Sequence, residues 1–171
     1  MVFTFMYSHD NLQRLVKEET SLLAERRDEI TKDGQTIDRF GLLVMDEEYE
    51  TMFRRLFSEA SAELMTVIPV RLVQHTPTDL LPVFNEFPDF SKDRDFVLFL
   101  AMPHNFAPQY KHSIDALIQR FLIDYICWRW FETKSPVDAE TYFNRLEKTK
   151  RDILDLLNKE FGVMMRMPSF P

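Results

Sequence analysis

The chain has little cysteine and little glycine, with one cysteine and three glycines among its 171 residues. A single cysteine excludes a disulfide within the chain and is typical of a reducing compartment. So few glycines argue against a β fold with many tight turns and against the glycine-rich loops that cradle phosphates. Because no run of about 18 apolar residues is present, the sequence predicts no membrane-spanning helix.

Basic residues are also in deficit, since 21 lysines and arginines stand against 28 aspartates and glutamates, for a formal charge of −7. This balance disfavours non-specific wrapping of nucleic acid, which needs a basic surface. The motifs of serine hydrolases, P-loop proteins, dinucleotide-binding domains and CxxC redox proteins are absent. We therefore predict no enzymatic activity, no cofactor and no metal.

Apolar residues make up 45% of the chain, and phenylalanine (16) and methionine (9) are unusually frequent. The densest apolar stretch covers residues 113–131 and contains both tryptophans and the cysteine. Its apolar residues recur at steps of three and four, which is the period of a helix. Apolar side chains on most of its circumference predict a central helix covered by the other segments. The recurring residues are Ile114, Leu117, Ile118, Phe121, Leu122, Tyr125, Ile126, Trp128 and Phe131.

Three further helices are predicted around the central one. The first covers residues 10–27, with Leu22 on its inward face. The second follows the carboxylates of residues 46–48, which complement the positive end of a helix dipole. The last opens after Pro136 and places Phe143 on its inward face. We predict one mainly α domain over residues 1–171, with helices 1 and 2 in residues 8–69 and helices 3 and 4 in residues 109–160.

Residues 70–108 differ from the rest because they are rich in proline and phenylalanine. Residues 95–102 form the best strand candidate, and residues 70–73 and 80–84 are candidate partner strands. The strand is continuously apolar, which predicts cover on both faces or pairing with another chain. The fold class is therefore a four-helix bundle with a β-containing arm inserted before the central aromatic helix.

Both ends of the chain, residues 1–7 and the tail 161–171, are too apolar to stay in water. The first is expected to be extended. Together with the arm, these segments are what a subunit of a larger assembly carries. We expect contacts with other copies or with partner proteins at Phe3, Phe5, Phe96, Leu98, Phe99, Met164, Met165, Met167 and Phe170.

Three places in the sequence offer alternative chemistry, and each has a structural explanation. His104, His112 and Asp115 lie within twelve residues, but their spacing matches no strong metal signature. The carboxylates of residues 46–50 are explained by a solvated helix start. Cys127 stands between Ile126 and Trp128, which predicts a buried residue rather than a nucleophile.

Three stretches together resemble a known family. They are a helix ending in LLAERR with a following DG turn, the segment LVMDEEYETMFRRLFSEASAEL, and the helix LIQRFLIDYICWRWFETKSP followed by DAETYFNRLEKTKRDILDLLNK. This order is similar to the neck proteins of tailed phages and prophages of Bacteroides-type hosts, including crAss-like phage ring proteins. It is more distantly similar to head–tail connector (adaptor) proteins, and it covers roughly residues 10–68 and 110–160.

The resemblance implies a connector-like helical bundle assembled as a ring, commonly of twelve copies. Such a ring joins the portal protein to other neck or tail proteins around a channel. DNA passes through that channel without specific recognition, for which a negative chain is suited. The expected location is the virion, with the host cytoplasm during assembly and no membrane.

The residues leave other functions open. A tail-completion or tail-terminator protein of the same virion differs in its neighbours rather than its chemistry. From a different class, a cytoplasmic helical adaptor could bind a partner helix in an aromatic groove. A small metal-dependent enzyme using His104 and His112 is the third alternative.

Overall fold

The computed structural model describes residues 2–25, 43–68, 95–103 and 106–158. The prediction of a mainly helical bundle with a β-containing arm is confirmed for these residues. Two short 3-10 helices, Glu47–Tyr49 and Pro108–Tyr110, lead directly into the second and third α-helices. In chain order, the main elements are β1 Val2–Tyr7, α1 His9–Glu25, α2 Glu50–Val67, β2 Phe96–Ala101, α3 Lys111–Phe131 and α4 Pro136–Leu157.

Helix α3 is the centre of the fold, as its sequence predicts. It packs against α1, α2, α4 and β1. From Phe121 to Phe131 every residue is buried or partly buried, so the predicted cover around most of the helix is confirmed for this half. The indole N–H of Trp130 donates to the carbonyl of Leu43 over 2.7 Å, which ties α3 to the segment that precedes α2.

The acidic start of α2 has a structural explanation. The carboxylate of Asp46 accepts a hydrogen bond from the backbone N–H of Glu48 over 3.2 Å. Glu47 and Glu48 lie in the first turn, where negative charge is favoured by the helix dipole. The predicted helix start is therefore confirmed, and the apolar stripe of α2 faces the core with Phe53, Leu56, Phe57, Ala60 and Leu64 buried.

Helix α1 forms where it is predicted, but the prediction that Leu22 faces inward is wrong. Leu22 is 53% exposed, whereas Thr20 is fully buried. Thr20 is compatible with burial because its hydroxyl donates to the carbonyl of Val16 and accepts from the backbone N–H of Met45. The buried side of α1 excludes Leu22 and consists of His9, Leu12, Val16, Thr20 and Ala24.

The two strands form an antiparallel pair in which Val2 lies opposite Ala101 and Tyr7 lies opposite Phe96. The extended N-terminal segment is thus confirmed. β2 pairs with β1 of its own chain, and its outward side chains are partly buried or exposed, so the expected burial of both faces is not found in the part of the chain that the structure describes. Pairing with another chain stays a prediction. Only the inner face is buried, with Phe3, Phe5, Tyr7, Phe96, Leu98 and Leu100. The candidate strands at residues 70–73 and 80–84 lie outside the described residues.

The break between α3 and α4 falls at Ser135 and Pro136, where it is predicted. The Ser135 hydroxyl donates to the carboxylate of Asp138 in the first turn of α4. Phe143, predicted to face inward, is instead 40% exposed. Its neighbour Tyr142 takes the inner position, stacked on Phe131 with 5.6 Å between ring centroids. The other apolar residues predicted to face inward are buried, namely Ala139, Leu146, Ile153, Leu156 and Leu157.

Neighbouring residues of β1 provide a test of this strand's orientation. Phe5 is 3% exposed and Met6 is 66% exposed. We expect Phe5→Ala to lower the free energy of unfolding by about 3–5 kcal/mol, because it empties a core site. Met6→Ala, the matched control, should cost about 0.5 kcal/mol or less.

The measurement is urea denaturation at low protein concentration, where any association between copies is suppressed. Equal and small losses for the two variants would contradict the placement of Phe5 in the core of its own chain.

Candidate functional site

The residues predicted to contact other copies fall into three groups. Four of them lie in the core of their own chain, at 6% exposure or less: Phe3, Phe5, Phe96 and Leu98. A side chain this buried has no surface left for a second copy, so the predicted intersubunit role of these four is corrected to a core role. The cause is the pairing of β1 with β2, which turns alternate side chains inward.

Phe99 is the one predicted contact residue that the structure places on the outer side of the sheet, where it is partly buried. The four residues predicted in the tail, Met164, Met165, Met167 and Phe170, lie outside the described residues.

The outer side of the sheet is itself apolar. Met6 lies opposite Val97, Thr4 opposite Phe99, and Val2 opposite Ala101. Met6 is 66% exposed and Val2 is 47% exposed. We call these six residues the outer sheet face. Threonine is its one polar side chain, and it carries no charge.

A cleft of about 270 Å³ runs beside the outer sheet face, between β1 and the start of α3. It is lined in part by Lys111, His112 and Asp115. The Tyr7 hydroxyl donates to Asp115 over 2.9 Å, and burial, reinforced by Asp115, raises the pKa of that phenol. Within the described ranges, no three His, Cys, Asp or Glu side chains are grouped to hold a metal. His104 is not among the described residues.

A buried charge network joins three helices, and sequence reasoning missed it. Asp124 of α3 has no exposed surface, and its Oδ1 lies 2.9 Å from Nη2 of Arg145 on α4. Arg120 approaches the other carboxylate oxygen at 3.6 Å. Arg145 also donates from Nη1 to Oε1 of Glu19 on α1 over 2.9 Å. The signal available in the sequence was a carboxylate within an otherwise apolar helical stretch.

The environment of Asp124 only partly compensates for its burial. Both arginines stand at ion-pair distance from the carboxylate, and each lowers its pKa. Desolvation nevertheless outweighs the attraction of Arg145 and Arg120 and raises the pKa of Asp124 to about 6. Burial also raises the pKa of the Cys127 thiol, whose predicted buried position is confirmed.

A second apolar surface lies at the other end of α3. Trp128 packs against Tyr125 at 5.4 Å and against Phe143 of α4 at 5.3 Å between ring centroids. Trp128 and Tyr125 are partly buried, and Phe143 is exposed. We call these three residues the aromatic surface. The sequence assigned all three to the core.

Charged pairs border the aromatic surface. Arg129 lies 3.7 Å from Glu59 of α2 and also pairs with Glu132. Lys150 of α4 lies 3.0 Å from both Glu63 and Glu147. Two cations therefore bridge four carboxylates, and Arg55 adds a third cation 3.7 Å from Glu59. The border keeps an excess of negative charge.

Comparisons of the chain with family models, with curated proteins and with solved structures found no match. Among the residues that the structure describes, no helix has both the length and the apolar character to cross a bilayer. The candidate functional regions are therefore the outer sheet face and the aromatic surface, whose exposed apolar side chains suit contacts with protein.

The Asp124 network predicts a pH dependence of stability. Because the pKa of Asp124 in the folded chain lies above its ordinary value of 3.8, protonated Asp124 stabilises the fold, and this contribution is lost as the pH rises through about 6. Between pH 5 and pH 7.5 we expect the wild type to lose about 1–2 kcal/mol relative to Asp124→Asn.

Chemical denaturation of both proteins across this pH range measures the difference. Arg120→Gln should move the transition to higher pH, because Arg120 lowers the pKa of Asp124. Parallel stability curves for the wild type and Asp124→Asn would exclude a titrating Asp124 from this range.

Proposed function

We propose that this chain is a structural subunit that assembles with copies of itself into a ring, a head–tail connector or neck ring of a tailed phage. In this role it has no catalytic activity, joins the portal protein to other neck or tail proteins, and leaves an axial channel for DNA. The observation that carries the proposal is the apolar outer sheet face, with Met6 and Val2 largely exposed.

The fold of the described residues does not account for the apolar character of the outer sheet face. A two-stranded antiparallel sheet with one face on the core normally places polar residues on the other. Here five of the six outward side chains are apolar: Val2, Met6, Val97, Phe99 and Ala101. Val2 and Met6 are the largely exposed ones, and apolar side chains in water add little to the stability of the subunit and favour association. A second copy that covers this face accounts for their presence.

The similarity of the helical stretches to neck and connector proteins gives the association its proposed setting. A head-to-tail contact that repeats through an equal rotation closes into a ring. The negative charge of the chain, −7, suits a channel through which DNA slides without binding. Assembly would take place in the host cytoplasm, and the finished ring would lie in the virion.

One observation favours a second candidate, a helical adaptor that binds a partner protein. The aromatic surface has an exposed phenylalanine, Phe143, beside the partly buried Trp128. Large aromatic side chains of this kind are frequent anchors at protein interfaces. An adaptor would be monomeric when isolated, whereas the connector would assemble.

We expect the purified chain to form rings with an axial channel wide enough for duplex DNA. Negative-stain electron microscopy and sedimentation velocity over a range of concentrations measure this. Met6→Glu should abolish assembly, because it places a charge on the covered face. Leu22→Glu is the matched control, since Leu22 is an exposed apolar residue of α1 outside both surfaces.

Wild-type protein that stays monomeric at every concentration would refute the ring and favour the adaptor. Assembly that survives Met6→Glu unchanged would remove the outer sheet face as its basis.

A further inference from the structure

A ring built from identical subunits needs two different surfaces on each copy. In a head-to-tail contact, one surface of a subunit meets another surface of the next subunit. The two must be apart, because both are occupied at the same time in a closed ring. The outer sheet face and the aromatic surface meet this requirement.

The length of α3 separates the two surfaces. Lys111 borders the cleft beside the outer sheet face and is the first residue of α3. Trp128 of the aromatic surface is 17 residues further along the same helix. At 1.5 Å per residue, this spacing corresponds to about 25 Å along the helix axis. A partner on one surface therefore leaves the other accessible.

The two surfaces also match in chemistry. Four carboxylates border the aromatic surface and share three cations, which leaves negative charge in excess. The outer sheet face has no carboxylate, and the cleft beside it brings Lys111 next to Thr4 and Met6. Asp115 of this cleft accepts the hydrogen bond of Tyr7. In this cleft Lys111 is the cation beside the outer sheet face; its ammonium lies 5.9 Å from the ring centroids of Phe3 and Phe5, and one carboxylate, Asp115, lines the same cleft. The aromatic surface has an acidic border.

The side chains suit each other as well. Met6 is a flexible thioether with 66% of its surface exposed. Methionine sulfur makes favourable contacts with aromatic rings, and its unbranched chain adapts to an irregular surface. Tyr125, Trp128 and Phe143 present such rings.

We propose that the outer sheet face of one copy binds the aromatic surface of the next copy, with Lys111 directed towards the carboxylates of Glu59, Glu63, Glu132 and Glu147. This inference rests on the proposed function, because it assigns the two sides of the contact that repeats around the ring.

The test uses two full-length variants, each with one surface blocked. Met6→Glu blocks binding at the outer sheet face, and Phe143→Glu blocks binding at the aromatic surface. Each variant alone should be monomeric. An equimolar mixture should form a one-to-one dimer and nothing larger, because it retains one intact surface of each kind. Native mass spectrometry and sedimentation velocity resolve the two variants and their complex.

The controls separate folding from association. Both substituted residues are exposed, so circular dichroism and thermal melting should match the wild type; Val2→Glu replaces Met6→Glu if that variant melts early. Leu22→Glu should assemble as the wild type does. Lys111→Glu should weaken the dimer in the mixture by about tenfold, because it opposes like charges.

The outcomes distinguish this inference from the proposed function. If the wild type assembles but Phe143→Glu assembles equally well, the aromatic surface is not part of the contact and the inference is wrong. The inference is also wrong if the mixture stays monomeric, because the two surfaces then do not meet. If the wild type itself never assembles, the proposed function fails first.

Discussion

The fold depends on covering α3. Between Phe121 and Phe131 this helix has no fully exposed position, and apolar side chains emerge on all its sides. One neighbouring helix can cover only a stripe of such a surface, so α1, α2 and α4 are all required. The contact between Trp130 and the Leu43 carbonyl shows how completely the site is enclosed, because even the indole N–H is satisfied from within the chain.

The buried charge network has a cost in desolvation, and it fixes how the helices around α3 are arranged. Burial of the Asp124 carboxylate outweighs the attraction of both arginines, since its pKa stays raised, so the network is weak evidence for a gain in stability. Arg145 is nevertheless held between Asp124 of α3 and Glu19 of α1. Because a shift of either helix would strand a buried charge, we interpret the network as fixing the relative positions of α1, α3 and α4 rather than as a source of stability.

Much of the fold could be predicted from the sequence, because strong local signals mark it. The period of α3, the carboxylates before α2 and the proline at the first position of α4 are each local signals, acting within a few residues of what they specify. The orientation of exposed faces is not local in this sense. Phe143 and Tyr142 both suit a core position, and the packing of Phe131 decides between them.

The prediction of which sheet residues are exposed was wrong for a different reason. The aromatic residues Phe3, Phe5 and Tyr7 already alternate along β1, which is the pattern of a strand with one buried face. In β2, however, apolar residues occupy both faces and hide the alternation. Its partner lies about ninety residues earlier in the chain, and nothing local identifies a pairing over that distance. The predicted contact residues were therefore drawn from both faces, although only one is exposed.

The alternation of inward and outward side chains along the two strands also distinguishes the residues that the fold needs from those that it does not. The inward residues of β1 and β2 are needed by the subunit alone, because they fill its core. The outward residues Met6 and Val2 are not, and polar side chains there would serve the isolated fold at least as well. Their apolar character is what led us to propose that another copy covers them. Because the core fixes one face of the sheet, the other face is held rigidly. Little conformational entropy would therefore be lost if another copy bound to it.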